Sequence, residues 1–102
     1  MRANELLKRI ESNTAPVVLD VRTGIEFKRG HVPGAIQAPP RKILLKTAKL
    51  PKNTNTELVI YCEHGPRAMI AKKLLALRGY KNSSLLEGHM LRWKKAGLPL
   101  EK

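Results

Sequence analysis

The sequence has little cysteine, since Cys62 is the only thiol among 102 residues. A single thiol excludes an internal disulfide and any metal site that needs a pair of cysteines. Long apolar runs are also missing: no stretch approaches the roughly 20 residues that cross a bilayer, and the N-terminal segment alternates apolar and charged residues too closely for a secretion signal. We expect no membrane partner and a cytoplasmic protein as given, or a periplasmic one if an upstream signal segment has been removed.

Acidic residues are scarce as well, with eight Asp and Glu against 20 Lys and Arg and a formal net charge of +12. The basic residues are scattered from Arg2 to Lys95 and do not alternate with exposed aromatic residues, which argues against a nucleic-acid partner. We interpret the charge as a solvated basic surface that favours anionic partners. The length fits one domain, residues 1–102, which we expect to be a monomer or a weak dimer.

Hydrophobic periodicity divides the chain into alternating helices and strands. Helical patterns cover residues 4–12, 23–29, 41–49, 68–78 and 90–96, and strand patterns cover 17–20, 35–37, 58–61 and 83–86. Thr23 is a candidate N-cap, and Gly79 is a candidate helix stop. The alternation predicts an α/β domain with a mainly parallel sheet flanked by helices on both faces.

Cys62 follows the most apolar predicted strand and precedes a helix, at the edge of the sheet where α/β proteins bind ligands. A tight turn into a helix directs backbone N–H groups and the positive end of the helix dipole into one concavity, which favours a thiolate. Gly65 allows the sharp turn and Arg67 adds a positive charge, whereas Glu63 opposes the effect and Pro66 contributes no donor. A buried, inert cysteine is the alternative.

Two histidines have weaker signals. His64 lies in the loop after Cys62 and is a candidate for proton transfer or for binding a substrate anion. A structural role, in which the ring only forms a hydrogen bond with the backbone, is equally compatible with its position. His31 stands in a turn beside Gly30, and a structural role is favoured over a catalytic one.

Three further segments complete a pattern that resembles the rhodanese family. They are Leu19-Asp20-Val21-Arg22 with Glu26-Phe27, Gly30-His31-Val32-Pro33-Gly34-Ala35, and Leu86-Glu87-Gly88 with Trp93, Ala96, Gly97, Leu98 and Pro99. The resemblance implies a rhodanese-like fold and a sulfurtransferase, in which Cys62 takes sulfane sulfur from thiosulfate or a persulfide donor. The persulfide on Cys62 then passes sulfur to cyanide, a small thiol or a sulfur-accepting protein, with no cofactor and no metal.

The resemblance also distributes roles among the site residues. Cys62 and Arg67 are expected to be catalytic, and the binding loop comprises Cys62, Glu63, His64, Gly65, Pro66 and Arg67. This loop has six residues, as in sulfurtransferases, whereas the related phosphatases and arsenate reductases have one more. Asp20, Arg22 and Glu26 are expected to support the loop rather than to make bonds. A binding or regulatory module with little catalysis is the main alternative, and a phosphatase or arsenate reductase is a lesser one.

Two features depart from the family pattern. His89 stands where the family's Glu-Gly-Gly has its last glycine, which places an imidazole at the rim of the pocket, where it either tunes the choice of donor or faces solvent. Only three residues precede the first predicted helix. The edge strand that commonly opens the fold is therefore expected to be short or missing, unless the chain is a piece of a longer protein.

Overall fold

Four parallel strands form one sheet in the computed structural model, which describes all 102 residues. The strands are β1 (Val17–Asp20), β2 (Ile36–Gln37), β3 (Leu58–Tyr61) and β4 (Ser83–Leu85), and their spatial order is β2-β1-β3-β4. The helices are α1 (Ala3–Glu11), α2 (Gly24–Arg29), α3 (Pro40–Leu44), α4 (Pro66–Leu77) and α5 (His89–Lys95). The predicted α/β domain with a mainly parallel sheet is confirmed. None of these helices is long and apolar enough to cross a membrane.

Each face of the sheet has its own core because neighbouring strand residues point to opposite sides. Leu19 and Ile60 pack with Leu75 of α4 in one cluster. Val18 and Val59 belong to a second cluster, which also contains side chains from α1 and α5, among them the fully buried Trp93. The helices therefore cover both faces, as the apolar runs of β1 and β3 predict.

The register of the two central strands places the site. Asp20 pairs with Tyr61 at the carboxyl ends of β1 and β3, and the Val21 N–H extends this pairing by donating to the Tyr61 carbonyl at 3.0 Å. The residues that follow β1 therefore lie beside Cys62, which follows β3.

Two helix boundaries differ from the sequence prediction by more than one residue. The helix predicted over 41–49 ends at Leu44, because Lys46 adopts a left-handed backbone with φ of 60°. The helix predicted from residue 68 begins at Pro66, two residues earlier. Proline is favoured at the first helical position because it lacks the N–H that would have no partner there.

The N-terminal edge strand is reduced to main-chain contacts of one residue. The Met1 ammonium donates to the Leu85 carbonyl at 2.8 Å, and the Glu87 N–H donates to the Met1 carbonyl at 2.8 Å. These two bonds have the pattern of a parallel pairing, so Met1 covers one end of β4.

Candidate active site

The loop after β3 folds back over the thiol of Cys62. The Gly65 N–H donates to the Cys62 Sγ at 2.9 Å, and Cys62 itself is only 1% exposed. Gly65 reaches this position with φ of 132°, which L side chains rarely adopt, so glycine is required for the turn. The sulfur atom thus lies at the base of the loop with a backbone donor directed at it.

Other donors of the loop have no partner within the chain. The N–H groups of His64, Arg67 and Ala68 donate to no acceptor in the protein. Two of them belong to the first turn of α4, a helix of 12 residues, where N–H groups and the helix dipole favour negative charge. These unpaired donors can therefore favour an anion beside the Cys62 loop.

Glu63 opposes that anion less than the sequence suggests. Its carboxylate accepts a hydrogen bond from Arg22 at 3.2 Å and lies 3.5 Å from the Lys94 ammonium. Because Arg22 and Lys94 compensate the negative charge of Glu63, this carboxylate opposes a thiolate at Cys62 less than expected from the sequence.

A buried ion pair anchors the end of β1 to the loop. Arg22 is 1% exposed and its guanidinium donates to both carboxylate oxygens of Asp20, which is fully buried. Burial alone would disfavour the charge of Arg22, but the bonds and charge of Asp20 raise its pKa above the ordinary value. Arg22 also donates to the Gly30 carbonyl at 2.7 Å. These contacts place Asp20 and Arg22 in support of the loop, without contact to the sulfur.

Tyr61 completes this network, although no role in the site is predicted for it from the sequence. Its hydroxyl donates to Asp20 at 2.7 Å and accepts from the Val32 N–H at 3.0 Å. Burial, together with the charge of Asp20, raises the pKa of Tyr61. A polar tip on an otherwise apolar strand, one residue before Cys62, was the signal that could have identified it.

Arg67 is held by Glu26 rather than by the thiol. Its two terminal nitrogens donate to the two carboxylate oxygens of Glu26 at 2.7 and 3.1 Å. Glu26 also closes a capping box with Thr23 at the start of α2, as the predicted N-cap requires. The hydrogen bonds from Arg67 above all lower the pKa of Glu26 to about 2. This pair joins α2 to the first turn of α4 beside the loop.

His89 lies against the main chain of the loop and not in solvent. It is 9% exposed, and its Nδ1 accepts a hydrogen bond from the Cys62 N–H at 3.3 Å. The alternative in which His89 merely faces solvent is therefore wrong. Burial, and next the charge of His64, lower the pKa of His89.

The remaining histidines and the loop rim differ in exposure. His64 and Pro66 are exposed at the mouth of the loop. The His31 Nδ1–H donates to the Phe27 carbonyl at 2.8 Å, and the His31 ring stacks on the Phe27 ring, so it has structural contacts and none with Cys62. No group of three metal-binding side chains is present.

Comparisons with known proteins show which proteins share this sequence and fold. The family model described as the rhodanese-like domain matches residues 2–96. A sulfurtransferase of Allochromatium vinosum is 31% identical over 96% of this chain and 90% of that protein, and a thiosulfate:glutathione sulfurtransferase of Saccharomyces cerevisiae is 34% identical over 91% and 76%. A rhodanese-related protein of Thermoplasma volcanium superposes with a TM-score of 0.82 at 28% identity, over 99% and 95% of the two chains. Some relatives are longer, and the chain spans 55% of one of them.

Proposed function

The chain belongs to the rhodanese-like domain family, and from this premise we propose that it transfers sulfane sulfur from thiosulfate or a persulfide donor to cyanide or a thiol. Cys62 holds the sulfur as a persulfide between the two half-reactions. The observation that supports this most directly is the hydrogen bond from the Gly65 N–H to Sγ at 2.9 Å. A backbone donor directed at sulfur favours the thiolate, which is the nucleophilic form.

The first half-reaction loads the sulfur. The Cys62 thiolate attacks the outer sulfur of thiosulfate, a new S–S bond forms, and the S–S bond of thiosulfate breaks, so that sulfite leaves with the electron pair. The free N–H groups of Arg67 and Ala68 and the dipole of α4 favour the anionic donor above the sulfur. The cationic surface attracts the donor from a distance.

The second half-reaction transfers the outer sulfur from Cys62 to the acceptor. Cyanide or a thiolate attacks the outer sulfur of the persulfide, and the electron pair of the S–S bond returns to Cys62. An S–S bond is about 2 Å long, so the transferable sulfur lies nearer the loop mouth than the buried Sγ. The acceptor therefore does not need to reach Cys62 itself. The electrons balance within sulfur, and the proposed cycle uses no cofactor or metal.

The other residues of the site have positioning roles in this scheme. Asp20 and Arg22 fix the carboxyl end of β1 and hold Glu63 through the bond at 3.2 Å. Glu26 fixes Arg67, whose positive charge remains close enough to favour an anion at Cys62. His64 and Pro66, which are exposed, and Glu63, which is partly buried, are the loop residues that an incoming donor or acceptor can meet.

The experiment is cyanide-dependent thiocyanate formation with thiosulfate as donor. The wild-type chain should turn over, and Cys62→Ser should not, while both fold alike by circular dichroism. An alkyl persulfide as second donor separates thiosulfate chemistry from sulfur transfer in general. A folded wild-type chain that transfers sulfur from neither donor would contradict the proposal and favour a binding module.

A further inference from the structure

His89 differs from the family's glycine at this position, and the structure shows what the imidazole contacts. Its backbone has φ of 49°, the left-handed region that glycine adopts freely and histidine tolerates better than most residues. Its N–H donates to the Leu86 carbonyl at 3.1 Å. The next two N–H groups, of Met90 and Leu91, donate to the carbonyls of Cys62 and Glu63, each at 3.0 Å. The start of α5 is thus fastened to the loop, and the ring is directed towards it.

The hydrogen bond to Nδ1 determines the tautomer. Because the Cys62 N–H donates to Nδ1, Nδ1 holds a lone pair, and the proton of the neutral ring is on Nε2. Burial lowers the pKa of His89, so the ring is neutral at neutral pH. The Nε2–H group makes no hydrogen bond within the chain. No fully buried side-chain nitrogen or oxygen lacks a partner, so Nε2 retains some solvent-accessible surface.

Nε2 is adjacent to the turn that binds the sulfur. A Cβ atom on Gly65 would stand 3.4 Å from Nε2, and the Gly65 N–H is the donor to Sγ. One imidazole therefore accepts the Cys62 N–H at Nδ1 and has Nε2 on the side of Gly65 where a Cβ would lie. The charged side chains near the loop are already engaged, Glu63 with Arg22 and Lys94.

We propose that His89 is a donor-binding residue, in which Nδ1 positions the Cys62 main chain and Nε2–H donates to an oxygen of the sulfonate group of thiosulfate. This inference rests on the proposed sulfur transfer. As the S–S bond of thiosulfate breaks and sulfite leaves, the negative charge on the sulfonate oxygens rises. The hydrogen bond therefore strengthens in the transition state. A persulfide donor whose leaving group is a thiol has no such oxygen and gains nothing from Nε2–H.

The test compares two donors in single-turnover persulfide formation on the full chain. His89→Asn retains an acceptor that can take the place of Nδ1 and tolerates a left-handed backbone, but it lacks the Nε2–H donor. We expect kcat/KM for thiosulfate to fall by about 10- to 100-fold, the range for a hydrogen bond to a charged group. The rate with an alkyl persulfide, whose thiolate leaving group has no sulfonate oxygen, should change by less than about threefold. His89→Gly, the family residue, should slow thiosulfate at least as much.

His31→Asn is the matched control, because it removes an imidazole that contacts Phe27 and Glu101 but not the loop. Its thiosulfate-to-persulfide rate ratio should equal that of the wild type. An unchanged ratio in His89→Asn would overturn the inference while leaving sulfur transfer intact, as would a wild-type chain that accepts the alkyl persulfide but not thiosulfate. A wild type that is inactive with both donors would instead remove the proposed function.

Discussion

Replacing Glu26 by Gln should weaken the fold at neutral pH and remove part of its acid sensitivity. The substitution is nearly isosteric, and glutamine still serves in a capping box with Thr23. It therefore removes the charge that holds Arg67 and leaves the start of α2 in place.

The size of the effect follows from the pKa of Glu26, which falls from 4.5 to about 2. At about 1.4 kcal/mol per pKa unit, this corresponds to at most about 3.5 kcal/mol. The Glu26 and Arg67 side chains are 30% and 37% exposed, so water screens the pair, and Gln retains a hydrogen bond. We expect a loss of about 1 to 2 kcal/mol at pH 7.

The lowered pKa of Glu26 also determines how the stability of the fold depends on pH. Because the folded pKa of Glu26 lies below the unfolded one, the stabilisation is complete above about pH 4.5 and is lost as the pH falls towards about 2. Urea unfolding at pH 7 and at pH 3 measures it. The difference between wild type and Glu26→Gln should shrink by about half at pH 3.

Glu57→Gln provides the control for site effects, because Glu57 pairs with Arg9 at the opposite end of β3 and its pKa is also lowered by that pair. It should lose acid-dependent stability as Glu26→Gln does, without changing the rate of persulfide formation. A Glu26→Gln variant equally destabilised at pH 7 and pH 3, or not destabilised at all, would refute the reasoning.

Three further outcomes are expected. Gly65→Ala should slow persulfide formation at least 10-fold, because any Cβ is strained on a backbone with φ of 132°; an unchanged rate would show that this turn does not matter. Tyr61→Phe should cost about 1 to 3 kcal/mol in thermal or urea unfolding, since the Val32 N–H and an Asp20 oxygen each lose a buried partner; equal stability would contradict the network. Rates with thiosulfate should fall as ionic strength rises from about 0.01 to 0.5 M, and a flat profile would exclude steering by the net charge of +12.

The sequence predicted the scaffold well because its signals are local. The apolar runs of β1 and β3 are continuous, and both strands have the predicted bounds. Thr23 also caps α2, as predicted, and forms a capping box with Glu26. The predicted end of α3 was wrong because the backbone of Lys46 leaves the helical region. No sequence pattern in this lysine-rich segment indicates that change. The predicted start of α4 was wrong because the prediction placed Pro66 in the loop, whereas this proline occupies the first position of the helix.

The sequence indicated candidate site residues but not which of them contact one another. The motif placed Arg67 beside Cys62, yet its partner is Glu26, 41 residues away in sequence. Such long-range pairs depend on which strand ends are neighbours, and only the register of β1 with β3 reveals this. The contact of His89 with the Cys62 main chain has the same origin, because it depends on how α5 docks on the loop.

The most direct test of sulfur transfer through Cys62 is the intact mass of the protein after incubation with thiosulfate, followed by peptide mapping. The account predicts a gain of one sulfur atom on the peptide that contains Cys62, removed by cyanide with release of thiocyanate and absent in Cys62→Ser. A folded wild-type chain that gains no sulfur, or a gain that persists in Cys62→Ser, would contradict it.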